Sequence, residues 1–457
     1  MSGFPTFGGA PLLYRWFLSV PLTALLCLPA GATDLLEAYR LAQASDPTFD
    51  AARHVLEGVR QKIPQAQAAL LPVINLTGNV GDNRATTVFS GVAPVDREMQ
   101  SWTWTLQLTQ PLLRASSYFA YRQSEFVVEQ AVAQYEQAQQ DLLLRVAQAY
   151  FGVIVALDVI AASDTEVKAL EEQLAQVKRG FEAGTHSVTD IDETKSRLGL
   201  ARSQRVAAMN DLESKRADLE KVTGQTLRQL AILEASALPT DPKPLDSRAW
   251  MEQARNNHPL VRAQRAALDA AQSDIKRNRA EHLPTLDLVA SYGKNYASNS
   301  LTTPTDYSTR AVSGQVGVQL TIPLFAGGAT TSKVVEAIAN KDKTQAELEA
   351  ASRQAATDAR QAFAGVINGL AQIDALNSAI ESAQSAVKGN RVGYRLGIRI
   401  NIDVLNAEHQ LYTAQRDLSK ARCDTLLQGL KLKAAVGLLS EDDLQEVNGM
   451  LKRSGDF

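Results

Sequence analysis

Gln107-Leu108-Thr109-Gln110-Pro111-Leu112 returns 212 residues later as Gln319-Leu320-Thr321-Ile322-Pro323-Leu324. Both hexapeptides close an alternating run and open a long helical pattern. The same spacing joins Asp46-Pro47 to His258-Pro259, and Leu71-Pro72 to Leu283-Pro284. Farther along, Gly180-Phe181-x-x-Gly184 matches Gly393-Tyr394-x-x-Gly397, Asp190 matches Asp403, and Gly224 matches Gly437, now 213 residues apart. One residue has slipped inside a long helix. A nearly constant offset over so many positions marks an internal tandem repeat. The halves are 33–245 and 246–440, joined by the proline-rich Leu238-Pro239-Thr240-Asp241-Pro242-Lys243-Pro244.

Working outward from the hexapeptides, each half predicts one layout. A helix (about 34–70, and 248–283) ends at Pro72 or Pro284, because proline cannot continue it. Two strands follow, about 73–83 and 101–111, then 285–294 and 311–323. Each pair leads into a helical hairpin, 114–224 and 329–438. In the first strand Ile74, Leu76, Gly78 and Val80 alternate with Asn75, Thr77, Asn79 and Gly81. In the second, Trp102, Trp104, Leu106 and Leu108 alternate with Thr103, Thr105, Gln107 and Thr109. The fourth sets Val316, Val318, Leu320 and Ile322 against Gln315, Gly317, Gln319 and Thr321, and the third follows more weakly. Period two with one apolar and one uncharged face suits a barrel wall between lipid and water. Two hairpins on a soluble core would show the same alternation. Trp102, Trp104 and Tyr292 are candidates for an interfacial girdle, or for plain packing.

Four strands cannot close a transmembrane barrel, for which about eight are needed. An open edge in lipid strands backbone groups at several kcal/mol each. The barrel therefore needs other copies, and three would supply twelve strands. The loops at about 84–98 and 297–310 point away from the helices. The helix from 114 to 182 would run roughly 100 Å. Its apolar positions Val128, Ala131, Tyr135, Ala138, Leu142, Val146, Ala149, Val153 and Ala156 step by three and four, a coiled-coil seam. Ala355, Ala359, Ala362, Val366, Leu370 and Ile373 repeat it.

Composition narrows the classes. Apolar residues make 45% of the chain and aromatics only 6%, the gap being filled by helix-forming Ala and Leu. A net charge of −3 gives no electrostatic footprint for nucleic acid. Arg15, the apolar Trp16–Leu28 and Ala30-Gly31-Ala32 read as a signal peptide over 1–32. Cys27 would leave with it, and Leu26 before it argues against acylation. Cys423 then has no internal disulfide partner. Beyond the signal no apolar run approaches 18 residues, so a membrane would be crossed by strands. There is no Walker A motif, no G-x-S-x-G elbow and no His/Cys cluster among the five histidines. No catalytic residue, cofactor or metal is expected, and the chain is read as a non-enzyme. The segment 441–457 is a polar tail, either free or laid around the helical waist.

These residues resemble the TolC family of outer-membrane exit ducts over essentially the whole mature chain. The repeat, the prolines opening the strands, the Gln-Leu-Thr-x-Pro-Leu exits and the two Gly-Φ-x-x-Gly turns (Φ is Phe or Tyr) carry the resemblance. Arg277-Asn278-Arg279-Ala280-Glu281-His282-Leu283-Pro284 and Asn401-Ile402-Asp403-Val404-Leu405-Asn406-Ala407-Glu408 are most similar to the branch serving type I secretion. The family implies a homotrimer with a 12-stranded β-barrel in the outer membrane and an α-helical tunnel across the periplasm. Its partners would be an inner-membrane ABC transporter, a periplasmic adaptor, the membrane lipid, and a polypeptide or small-molecule cargo. The family's gate residues fall on Thr189, Asp190, Tyr394 and Arg399. Its lumen acidic positions fall on Asp403 and on Asn406, so one of two acidic rings is missing. On this reading Asp190 accepts bonds from Tyr394 and Arg399. By itself the residue also fits a helix cap, and Asp403 a solvated surface. Small-molecule efflux and a periplasmic coiled-coil adaptor or scaffold remain the competing readings.

Overall fold

In the computed structural model, residues 33–452 are described except 89, 92, 228, 235–238 and 304. The signal-peptide expectation for 1–32 lies outside the described residues. The first half runs through α1 (Leu35–Ser45), α2 (Pro47–Arg60), α3 (Lys62–Ala68), β1 (Val73–Thr87), β2 (Val95–Leu113), α4 (Ala115–Glu182) and α5 (Val188–Thr223). After a short β3 (Ile232–Leu233) come α6 (Ser247–Asn257), α7 (Pro259–Ala280), β4 (Thr285–Ala297), β5 (Thr309–Thr321), α8 (Ala329–Arg395) and α9 (Asn401–Ala435). The chain closes with α10 (Glu441–Asn448) and β6 (Leu451–Lys452).

The opening helix of each half is broken where one helix was expected. Proline disfavours helical backbone at the residue before it but fits the first helical position. So Pro47 and Pro259 each start a new helix. Asp46 caps the first by accepting from the N–H groups of Thr48 (2.7 Å) and Phe49 (3.3 Å). Burial opposes its charge, but those donors and Arg145, 2.7 Å away, hold its carboxyl below the usual range. His258 does the same work at the second site, its Nδ1 accepting from Leu260 N–H at 3.1 Å.

The four long strands form one antiparallel sheet in the order β1-β2-β4-β5. Directly opposed residues share a face, so the register assembles the apolar side row by row. Val80 meets Trp102, Trp102 meets Tyr296, and Tyr296 meets Arg310; lower down, Leu76, Leu106 and Tyr292 align. The belt is bare: Val80 is 85% exposed and Val316 77%. The β1 and β5 edges have no partner among the described residues. The strands outrun their expected ends, and the expected loop at 84–98 is largely ladder. Pairing extends to Thr87↔Val95 because polar side chains such as Arg84 and Glu98, 2.9 Å apart, satisfy each other across it.

The helices make a waist core. Leu142, Leu143, Val146, Ala147, Tyr150, Phe151, Val153 and Ile154 of α4 are all buried there. They meet Leu35, Tyr39 and Ala42 of α1, Leu219 of α5, Leu426 and Leu430 of α9, and Leu444 and Val447 of α10. One seam was expected on α4. Two faces are buried at the waist, because α1–α3, α5, α7 and α9 all pack on this helix. The same stretch makes α4 apolar enough to cross a membrane by length and composition, against the expectation of no such run. Its burial in the waist explains the composition. In the second half, Ala355, Ala359, Ala362 and Val366 of α8 form the matching core with Trp250 and Val261.

Within the expected tail, residues 441–452 are neither free nor merely polar, and 453–457 lie outside the described residues. A capping box between Ser440 and Asp443 starts α10, Lys433 bonds Asp443 at 2.7 Å, and β6 pairs with β3. Tyr150 donates to the carbonyl of Ala231 (2.9 Å), bracing the start of β3. Cys423 is buried, and burial pushes its thiol up to about 12, out of reach of ordinary reactivity. Truncating a fully buried Leu leaves a cavity worth roughly 2–5 kcal/mol. Leu444→Ala, at a position fully buried in the waist, should therefore lower stability by about that much in thermal unfolding. Leu438→Ala, at an exposed site, should stay within about 0.5 kcal/mol.

Candidate functional site: the tips of the helical hairpins

Farthest along the hairpins from the strands lie two turns of one design. Gly184 and Gly397 sit at φ of 77° and 73°, where a side chain would be strained. Thr185 N–H returns to the Gly180 carbonyl at 2.8 Å, and Ile398 N–H to the Gly393 carbonyl at 2.8 Å. The first glycine of each motif has a different task. A Cβ on Gly180 would lie 1.9 Å from the His186 ring, and one on Gly393 would lie 2.7 Å from Arg399 Cγ. Each therefore leaves room for the side chain six residues on. His186 and Arg399 are repeat equivalents, as are Phe181 and Tyr394.

The structure places the expected gate residues close together but pairs them differently. Asp190 is the N3 residue of α5. Its carboxylate accepts from Ser187 N–H (3.0 Å) and hydroxyl (3.1 Å), while Ser187 Oγ accepts from Asp190 N–H. A helix start offers free donors within one turn, so the carboxylate folds back onto them. The bonds expected from Tyr394 and Arg399 to Asp190 are not formed within the protomer. Tyr394 instead stacks on His186, ring centroids 5.7 Å apart and planes 6° from parallel, with its hydroxyl 3.1 Å from Nε2. Burial, and then the nearby Asp190 charge, raise the Tyr394 hydroxyl above its ordinary range. Arg399 reaches Asp403 loosely, at 3.7 Å, and its side chain is 58% exposed. Thr189, beside Asp190, is exposed. Asn406 accepts from Arg197 at 2.7 Å, tying α9 to α5.

Sequence reasoning missed a buried link between the hairpins. Asn401, first residue of α9, is 2% exposed. Its Oδ1 accepts from Gln173 of α4 at 2.6 Å, and its Nδ2 donates to Thr194 Oγ1 of α5 at 3.1 Å. Thr194 in turn donates to the Asp190 carbonyl at 2.7 Å. The second hairpin is thus stapled into the cleft of the first. The signal in the sequence was asymmetry: Val188 occupies the equivalent position in the first half, and it is exposed. His409 of α9 with Glu166 of α4 (2.9 Å) continues the polar seam between the hairpins, and Arg391 with the buried Glu408 (2.7 Å) ties α8 to α9 within the second. Among the described residues no His, Cys, Asp and Glu group could hold a metal.

Leaving buried polar partners unsatisfied costs about 1–3 kcal/mol. Asn401→Ala should accordingly destabilise the tip by about that amount, seen as faster amide exchange in 188–196 and 396–408. Arg197→Ala, which breaks only a more exposed bond, should shift exchange much less.

The sequence profile of outer membrane efflux proteins matches residues 38–225 and 250–438. The alkaline protease secretion protein AprF of Pseudomonas aeruginosa is 32% identical over 95% of this chain and 90% of its own. The outer membrane protein TolC of Vibrio cholerae is 33% identical over 92% of this chain and 94% of its own. The proteases secretion protein PrtF of Dickeya chrysanthemi is 31% identical over 94% of each. The solved outer membrane protein VceC of Vibrio cholerae superposes with a TM-score of 0.74 over 88% of this chain and 96% of its own, at 18% identity, and so speaks for the fold. Two matched segments, one per half, set on a bare four-stranded sheet and two long hairpins, show that this chain belongs to the outer membrane efflux protein family of TolC-like outer-membrane channels.

Proposed function

We propose that this protein is the outer-membrane exit duct of a type I secretion machine, passing a polypeptide driven by an inner-membrane ABC transporter and a periplasmic adaptor. The observation that carries the duct is the sheet. Its apolar belt is exposed and both edges are open, which lipid tolerates only when the ladder closes on further copies. Three copies give twelve strands and six hairpins about one axis. Secretion is favoured over small-molecule efflux by the relatives. Those named for protease secretion match at 32% and 31% over nearly the whole chain. The efflux protein BepC of Brucella suis matches at 26% over 67% of it.

The tip is the gate, and the repeat supports how it closes. Within a protomer His186 of the first hairpin meets Tyr394 of the second. Around a ring of alternating hairpins, the equivalent contact sets Arg399 of one copy against Phe181 of the next. A guanidinium over an exposed ring is worth about 0.5–1 kcal/mol. Such a link holds the tip shut yet yields to a docking partner. Thr189 and Asp190 shape the α5 start on which these contacts rest. Asp403, three times around the axis, forms the remaining acidic ring and favours cations. Asn406 leaves the second ring neutral and is engaged by Arg197.

Single-channel recording of the purified protein in planar bilayers tests this. Wild type should show a small, cation-preferring conductance. Arg399→Ser should conduct markedly more, and Asp403→Asn should lose much of the cation preference. A wild-type channel unchanged by Arg399→Ser would remove the gate assignment and leave the duct standing. Failure to insert at all would remove the duct.

A further inference from the structure

The outer end of the lipid-facing belt carries two cations that the channel reading does not use. Lys294 on β4 and Arg310 on β5 lie on the same face as Trp102 and Tyr296. Lys294 Nζ stands 5.7 Å from the centre of the Trp102 ring, and the Arg310 guanidinium 5.9 Å from that of Tyr296. Trp102 and Tyr296 are themselves stacked at 5.9 Å. Among the described residues neither cation has a carboxylate within ion-pair distance. Of the carboxylates at this end, Asp82, Glu98 and Asp306 pair instead with Arg84 and Arg97, and Asp96 accepts from the Thr86 hydroxyl at 2.6 Å.

Height on the barrel decides what meets them. On this face the rows below hold Leu76, Leu106, Tyr292 and Val316, a hydrocarbon-facing surface. The row above holds Asp82 and Gln100, which belong in water. The cluster therefore sits where acyl chains end and headgroups begin, at the end of the sheet away from the helices. Lys294 and Arg310 are diagonal neighbours across the β4–β5 ladder, a spacing of about 7–8 Å that one phosphate group can bridge. The aromatic rings hold the long side chains flat against the wall and give an acyl chain a surface to lie on.

We propose that Lys294, Arg310, Trp102 and Tyr296 form a docking site for the phosphate of an outer-leaflet glycolipid, one site per copy. It rests on the outer-membrane reading, with the helices on the periplasmic side. The test is native mass spectrometry of the purified oligomer titrated with lipid A carrying its phosphates, and with lipid A stripped of them. Each cation near an anionic lipid surface is worth about 1 kcal/mol, so Lys294→Gln/Arg310→Gln should bind phosphorylated lipid A about 10–30-fold more weakly. Lys294→Arg/Arg310→Lys should bind like wild type. Equal retention by wild type and the Gln variant, or equal binding of stripped lipid A, would overturn the site. Displacement by millimolar inorganic phosphate would assign it to a free anion and overturn the lipid. Unchanged conductance and oligomer size in the Gln variant separate its loss from any failure of the barrel.

Discussion

Everything in this molecule follows from a sheet that cannot satisfy its own edges. Four strands place a continuous apolar belt outward, with β1 and β5 left as open ladders. In water that surface would aggregate; in lipid each open backbone group is costly. Closure with further copies removes both problems at once. It also fixes the rest of the design, because hairpins attached to a closed ring of strands must themselves stand in a ring.

The helices answer a second demand, that a wall one helix thick remain rigid over roughly 100 Å. The large side chains are concentrated at the waist, where α1, α9 and α10 wrap the middle of α4 around Tyr150, Leu142 and Ile154. Toward the tip the packing thins to small clusters such as Val167, Leu170, Leu198 and Leu405. The large buried side chains are thus gathered at the waist, and the tip is held by small clusters and polar bonds such as those of Asn401.

At the tip the two halves differ although their turns do not. Gly180 and Gly393 accommodate a side chain in the same way, but that side chain is His186 in one half and Arg399 in the other. Asn401 is buried against Gln173 and Thr194, whereas Val188 is left exposed. The repeat therefore supplies geometry, and single substitutions within it make the contacts that join the two hairpins inside a protomer.

The repeat, the alternation of each strand, the long hairpins and the need for oligomeric closure were all legible in the sequence. They depend on period and spacing, which are local properties of the chain. Gly184 and Gly397 announced their turns for the same reason, a backbone angle that only glycine adopts freely. At the tip the two turns were legible, but the bonds of the residues beside them were not. Asp190, expected to meet Tyr394 and Arg399, is held by Ser187, because a helix start presents donors one turn away. Asn401 showed only as a departure from its repeat equivalent Val188, and His186 and Lys433 gave no signal, since each meets a side chain outside its own element. The waist was legible only as apolar periodicity. Which face of α4 it would bury, and that the polar tail would seal it with Leu444, was decided by tertiary packing, where side chains distant in sequence compete for one volume.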